Sequence, residues 1–531
     1  MKNKRPFSRF SAVADNKQPF ACNKKPKYSF YILMTETESK ESYSHILKYT
    51  GIFGGVQGLN IMISLVRNKL VAMLLGPGGM GLTSLFNSAV NFISQTTSLG
   101  ISFSAVRHLS EIFDEGNEEH ISHFIKVVRA WCLLAALLGM FVCLAVGPLL
   151  SDWTFSWGDH TLHFLLLAPA VAMLAVTGGE TAILKASRRL KALAVTQISL
   201  VVISLFVSIP LYYLFGESGI IPVIVLMAFT GMIVTMLYSY RFYPLRIGGL
   251  NGILGEGMEM IRLGVAFTVA GIFGSGAEIA IRAYLNVNSD LSTVGLYNAG
   301  FMLTVTYAGM VFSAMETDYF PRLSAINHDI EAVNTTVNRQ IEVSVLLLSP
   351  MLAIFMLSLP ILLPLLYTAS FLPVVAMTQV ASLSMYFKSV YLPVSYIVLA
   401  KGDSKAFLVL EALSYIFLVI FVIVGYTAYG LLGTGIALSL SNLLDLVLAF
   451  IYAGIRYSYR PSLYVLKYSI IQLTIGMSAY AVTFVTDLGL YCVLGLGVCL
   501  VSIAYSIHIL RRKTTLWEAL MRRMSERFGR K

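Results

Sequence analysis

The sequence predicts an all-α integral membrane protein: fourteen transmembrane helices, set as two parallel six-helix lobes plus two appended helices. Three observations predict it. Hydrophobic residues make up 56% of the 531 residues and charged ones 13%, against about 45–50% and about 25% in soluble domains. From about residue 48 to 510 the chain is a succession of apolar runs of 18–28 residues, each broken by a short polar or Gly/Pro cluster. The third is an internal repeat, in which short motifs recur 214 or 215 residues apart in the same order.

Residues 1–48 form a basic polar stretch with no apolar run long enough for a signal peptide, and read as an unstructured cytoplasmic tail. Met34 opens a segment that reads as an alternative start, so residues 1–33 are expected to carry no function. The spans follow at α1 49–75, α2 80–106, α3 124–149, α4 161–184, α5 192–215, α6 219–240, α7 260–284, α8 292–317, α9 340–365, α10 373–399, α11 405–426, α12 431–455, α13 464–485 and α14 488–510. Each has about the 20 residues a bilayer needs. Runs of this length exclude the short strands of a barrel, and in lipid only helices or closed barrels satisfy the backbone. The first lobe is 49–240, a linker follows at 241–259, the second lobe is 260–455, and α13 and α14 occupy 456–510.

Orientation follows from Lys and Arg. With the N-terminus cytoplasmic, 35 of the 39 fall at the cytoplasmic face, including Lys185 to Lys191, Lys401 and Lys405, and the tail from Arg511. The opposite loops, such as Ser151–His160 and Asn286–Thr293, hold none. Both termini are therefore expected in the cytoplasm of a multi-pass inner-membrane protein, which requires an even number of helices. The net charge of +11 thus reads as a sidedness signal and not as a nucleic-acid footprint. Residues 511–531 interleave Trp517, Leu520, Met524 and Phe528 with arginines, and read either as an interfacial amphipathic helix or as a solvated tail.

The repeat rests on three matches. Arg67 ahead of Met80-Gly81-Leu82 pairs with Arg282 ahead of Val294-Gly295-Leu296, Arg107 with Arg322, and Leu184-Lys185-Ala186 followed by Lys191 with Leu399-Ala400-Lys401 followed by Lys405. Six helices per repeat is an even number, so the halves are parallel, related about an axis along the membrane normal. Transporters enclose a midplane site between such halves.

Ionisable residues at bilayer depth are costly and normally face a cavity or a partner. The embedded cations are Arg67 and Lys69 in α1, Arg282 in α7 and Lys388 in α10. Arg67 lies nine residues before Gly76, roughly 13 Å deep, and reads as cavity-facing. Lys69 is shallower, and reads either as a cavity ligand or as a side chain reaching the outer interface along its stem. Lys388 has no acidic residue within one turn and reads as a cavity ligand. Glu278 and Arg282, spaced i and i+4, read equally as a neutralised pair and as part of a binding or ion-coupling site. Glu180, Glu411 and Asp445 fit either proton or sodium coupling or, better, buried helix-to-helix hydrogen bonds. A cationic cavity in an apolar shell suits an anionic amphiphile, with phosphate or pyrophosphate held by Arg and Lys.

Other chemistries are disfavoured. The sequence has no P-loop, no dinucleotide fingerprint and no HExxH, and it offers no nucleotide-binding segment for a pump. His120 with His123, and Asp159 with His160 and His163, are weak metal patterns, so no cofactor or metal is expected beyond a coupling proton or sodium ion. Four of five cysteines, Cys132, Cys143, Cys492 and Cys499, lie in apolar runs and read as small core residues.

The stretch Lys69-Leu-Val-Ala-Met-Leu-Leu-Gly-Pro-Gly-Gly-Met-Gly-Leu82 resembles the α1–α2 junction of Wzx-type polysaccharide flippases, in the multidrug/oligosaccharidyl-lipid/polysaccharide exporter superfamily. Val294-Gly295-Leu296-Tyr297-Asn298 is similar to that family's element after the seventh helix. The resemblance implies transbilayer movement of undecaprenyl-pyrophosphate-linked oligosaccharide (the O-antigen type of lipid-linked precursor) by alternating access, with no enzymatic activity. It implies pyrophosphate held by Arg67, Lys69, Arg282 and Lys388, and a polysaccharide polymerase and chain-length machinery as partners beside membrane lipids. The family often has an Asp just before the helix-seven cation; here Glu278 stands four residues before Arg282. A lipid II flippase shares the plan. A drug or cation antiporter would carry carboxylates in α1 or α2, and this chain has none there. A membrane glycosyltransferase or polymerase would need large outward loops.

Overall fold

The computed structural model describes residues 28–154, 160–245, 253–306, 309, 312, 319–320 and 322–513. The C-terminal basic tail, residues 1–27, most of the loop after α3 and part of the inter-lobe linker lie outside the described residues. The chain divides into two compact units, residues 1–55 and 56–531. In the first, the backbone is helical from Tyr28 where the sequence reads as an unstructured tail. Its physical basis is a stretch from Tyr28 to Thr50 with no Gly or Pro to break a helix.

Among the described residues, nine helices are long and apolar enough to cross a membrane. Three of them, Met62–Thr97, Lys191–Phe242 and Ser404–Tyr457, are each two spans joined by a sharp turn. Counting each as two and adding Met258–Asn288 and Leu291–Val305 gives the fourteen expected spans. The protein is a multi-pass, all-helical membrane protein among the described residues.

The turns themselves carry the repeat. Gly216, between α5 and α6, has φ 55° and ψ −131°; Gly430, 214 residues later between α11 and α12, has φ 58° and ψ −140°. Such backbone angles are open to glycine alone at little cost. The first residues of α2 and α8 cross in the same paired manner. A Cβ on Gly81 would lie 1.9 Å from the Leu291 carbonyl, and one on Gly295 would lie 1.9 Å from the Pro77 carbonyl. Pro77 and Leu291 are also 214 apart, so each half presents the same glycine to the same carbonyl of the other.

In the first half α3 (Glu118–Thr154) packs on α4 (Thr161–Ala186), and α4 on α6 (Ile220–Phe242). In the second, α9 (Ile330–Leu366) packs on α10 (Val375–Ala400), and α10 on the α11–α12 pair. The appended α13 (Leu463–Val482) and α14 (Leu488–Lys513) both dock on α9. Side-chain caps fix several helix starts: Asp290 accepts from the Thr293 amide, Asp329 from Glu331 and Ala332, Ser462 from Val465.

The helix α2 departs from expectation. It ends at Thr97 and restarts as Ile101–Glu115, because Leu99 and Gly100 adopt φ 52° and 64°. Gly100 lies so close to Gly264 of α7 that a Cβ would sit 2.1 Å from its carbonyl. The two halves therefore touch at both ends of the bundle. We call these the basic end, which carries the loop cations, and the cation-poor end.

Candidate functional site

Two cavities lie along α7. The first, about 550 Å³, is bounded by Arg67 of α1, the Ser84–Asn91 stretch of α2, Tyr212 of α5, Glu278 and Arg282 of α7, and Phe301 of α8. The second, about 440 Å³, is bounded by Lys388 of α10, Glu411, Ser414 and Tyr415 of α11, and Asp445 of α12. Glu278 and Phe301 line both, so one turn of α7 and one ring of α8 are the wall between them.

Arg282 is 5% exposed and held from several sides. Its Nε donates to Ser84 Oγ at 2.7 Å, Nη1 to the Glu278 carboxylate and carbonyl at 3.2 Å each, and Nη2 to Asn298 Oδ1 at 3.1 Å. Its guanidinium lies 5.8 Å from the Phe301 ring centroid. Ser84 belongs to the first half and Glu278 and Asn298 to the second, so the guanidinium bridges the two. The Glu278 side chain keeps 44% of its surface open, while four of the five N–H donors of the guanidinium are taken by protein oxygens. Arg67 donates to the Asn68 amide oxygen at 3.3 Å and is half-buried at the opposite wall. With two arginines and one carboxylate, the charged lining of this cavity is net positive.

The second cavity has the opposite balance. Lys388 stands 5.7 Å from the Phe312 ring and interacts electrostatically with both Glu411 and Asp445. Ser414 hydrogen-bonds Asp445. One ammonium thus faces three carboxylates of its own half: Glu411, Asp445 and, at the shared wall, Glu278.

Lys69 is in neither lining. Its ammonium donates to the Pro364 carbonyl at 2.7 Å and to that of Tyr367, at the last turn of α9. Those carbonyls lack intrahelical partners and sit at the negative end of the helix dipole, where a cation is favoured. Residues two apart on a helix point about 200° away from each other, which is why Arg67 reaches the cavity and Lys69 does not. The four embedded cations therefore do not form one site: Arg67 and Arg282 share a cavity, Lys388 occupies the other, and Lys69 is a strut between halves.

Glu180 is likewise outside both cavities. It is 2% exposed and paired with Arg129, at 2.8 Å to Nε and 3.1 Å to Nη2, while Ser239 donates to the same carboxylate. Arg129 also donates to the Tyr243 carbonyl at 2.9 Å and stacks 4.3 Å from the Tyr240 ring. This cluster ties α3, α4 and α6 at the basic end, the helix-to-helix role. Of the histidines, His123 pairs with Glu256 of the short linker helix Ile253–Glu256 at 2.7 Å, and His160 and His163 meet at 3.2 Å. Asp159 lies outside the described residues. Cys132 and Cys143 are buried thiols as expected of core residues, whereas Cys499 is half-buried and Cys492 lies exposed on the surface of α14.

Sequence reasoning by charge missed the uncharged lining. Ser84, Asn87, Ser88 and Asn91 fall at i, i+3, i+4 and i+7, one face of a helix, and that spacing was the signal available.

A sequence model of the family described as polysaccharide biosynthesis protein matches residues 46–327, over half the chain. The chain belongs to this family. Among solved structures, the family member resembles the inward-facing conformation of a multidrug resistance MATE family transporter of the MOP superfamily, with TM-score 0.64 at 15% identity over 75% of this chain and 94% of that one. It also resembles the lipid II flippase MurJ in an inward closed conformation, with TM-score 0.63 at 15% identity over 87% of this chain and 99% of that one. A third likeness is a MOP superfamily transporter from Pyrococcus furiosus, with TM-score 0.55 at 14% identity over 77% and 94% of the two chains. At such identities the likeness establishes the fold alone, one shared with these three transporters. No curated protein matches the chain.

Proposed function

We propose that this polysaccharide biosynthesis protein is a flippase of the Wzx type, moving undecaprenyl-pyrophosphate-linked oligosaccharide from the cytoplasmic to the outer leaflet of the inner membrane. The observation that carries the reading is that Arg67 and Arg282 line one cavity between the two halves of a MOP-type fold. The basic end is the cytoplasmic one under the positive-inside rule, which puts both termini in the cytoplasm.

Arg282 supplies the switch. At rest Glu278 holds Nη1 while Ser84 and Asn298 hold Nε and Nη2, and an entering pyrophosphate competes for these donors with more charge and more acceptor oxygens. The displaced carboxylate already borders the second cavity, where Glu411 and Asp445, beside Lys388, can take a proton or a sodium ion. Substrate binding on one side of α7 and cation binding on the other are then coupled through a single side chain. Repacking of the two halves about their crossing points delivers the lipid-linked sugar to a polymerase and its chain-length partners.

The test is complementation of a bacterium lacking its own polysaccharide flippase. Arg67→Ala and Arg282→Ala are expected to abolish surface polymer while the protein stays in the membrane, and Lys388→Ala to do so through coupling. Normal polymer from both arginine variants would falsify the reading. Restoration of cell-wall synthesis in a strain lacking its lipid II flippase, without surface polymer, would reassign the cargo to lipid II.

A further inference from the structure

The helices that face each other across the first cavity are repeat mates with opposite chemistry. Toward the cavity, α2 presents Ser84, Asn87, Ser88 and Asn91. The same face continues as Ser94, Gln95 and Ser98, which border a smaller cavity of about 80 Å³, and Leu174 of α4 walls both spaces. In register with Gly81 and Gly295, the second half has Asn298, Phe301, Met302 and Val305 where the first has Ser84, Asn87, Ser88 and Asn91. Asn298 is already committed to Arg282, and Phe301 and Met302 line the cavity as an apolar wall. One wall is thus hydroxyl and amide, the other ring and thioether, with the two arginines between.

Resting on the arginine reading above, we propose that α2 is the glycan-binding wall and that it selects an uncharged oligosaccharide. Hydroxyls and amides each donate and accept; with Asn87 donating to the Thr83 carbonyl and Ser88 to that of Ser84, the wall offers sugar hydroxyls mainly acceptor oxygens, with the Asn91 amide beside them. The face from Ser84 to Ser98 spans about 21 Å at ~1.5 Å per residue, enough for several sugars. It carries no charge, and the cations of the first cavity are already assigned to pyrophosphate. The lipid-proximal end of the cargo lies against Phe301 and Met302. This division suits an amphiphile that must keep its sugars wet and its tail dry while crossing.

The test uses the purified full chain and two probes: undecaprenyl pyrophosphate, and the same lipid carrying a neutral tetrasaccharide. The glycan-bearing probe is expected to bind wild-type protein more tightly. The double variant Asn87→Leu with Asn91→Leu is expected to lose on the order of tenfold for that probe, as two hydrogen bonds are removed, and nothing for the bare lipid. Asn87→Ser with Asn91→Ser keeps hydroxyls on the wall and is expected to retain the preference. An affinity ratio between the probes that the leucines leave unchanged, whether both affinities fall or neither does, overturns the inference. So does a tetrasaccharide bearing carboxylates that binds as tightly as the neutral one. If instead Arg282→Ala leaves binding of the bare lipid intact, the failure lies with the arginine reading.

Discussion

The two six-helix halves share a backbone and differ in what they use it for. Gly216 and Gly430 adopt the same left-handed turn, and Gly81 and Gly295 meet the same carbonyl of the opposite half. Arg188 and Gly402, again 214 apart, both have positive φ, 53° and 73°. The side chains between these fixed points diverge. The first half carries a polar uncharged wall and a buried Arg129–Glu180 cluster, while the second carries an apolar wall and a charged cavity around Lys388. What is repeated is the machinery of crossing and turning, set by backbone approach; what is not repeated is the lining, free to become two different sites.

The largest effect is expected where the repeat is strictest. Neither Gly81→Ala nor Gly295→Ala can be accommodated, because a methyl would sit 1.9 Å from a backbone carbonyl that cannot swing aside. Both are expected to separate α2 from α8 and abolish surface polymer to the same degree. A cysteine pair at Gly78 and Ser292, whose side chains would be neighbours, reads the separation directly. Oxidative cross-linking of Gly78→Cys with Ser292→Cys should be efficient in the parent and largely lost when either alanine is added. Retained cross-linking in both would mean that the crossing tolerates what its geometry forbids.

An intermediate effect is expected from the asymmetric cluster. Glu180→Gln leaves the Arg129 guanidinium, 11% exposed, without its carboxylate. Breaking a buried pair from one side costs about 3 kcal/mol or more, and a lower thermal unfolding midpoint of the purified protein measures it. A variant as stable as the parent would show that the Tyr243 and Pro244 carbonyls and the Tyr240 ring suffice for Arg129.

How far the sequence reached follows the same division. The spans were legible because lipid demands about 20 apolar residues of every crossing, and the turns because glycine and proline mark them. The cations at depth were legible as a set, since few residues of that kind are tolerated there. Which of them converge was not, because that depends on helix rotation: Lys69 and Arg67 differ by two residues and end in different places. Arg129 counts with the loop cations by position, yet packing turns it inward onto Glu180. The break at Leu99 and Gly100 required knowing that Gly264 lies against it. The polar face of α2 was visible in the spacing but acquires meaning only beside α8.

The smallest effect concerns one corner that each half closes in its own way at the basic end. In the first half Arg189 lies 4.6 Å from the Phe242 ring, joining the start of α5 to the end of α6. In the second, the matching residue is Asp403, which accepts from the Ala406 amide at 3.2 Å and from the hydroxyls of Tyr457 and Tyr452 at 3.0 and 3.1 Å. The Ala406 amide, and then the Tyr457 hydroxyl, hold the Asp403 carboxyl below the ordinary aspartate range. A carboxyl depressed by folding contributes stability that is complete above its unfolded value, about 4, and is lost as pH falls through the lower folded value. An arginine over a ring does not titrate there. Asp403→Asn keeps the cap and removes the charge, so it is expected to cost a little at pH 7 and to approach the parent as pH falls through the folded value. The readout is the gap between the two unfolding midpoints, measured at neutral pH and below the aspartate range. Every other carboxylate is common to both proteins and cancels. A gap of equal size at both pH values would mean that this corner is held by shape in both halves, and that the charge at Asp403 is incidental.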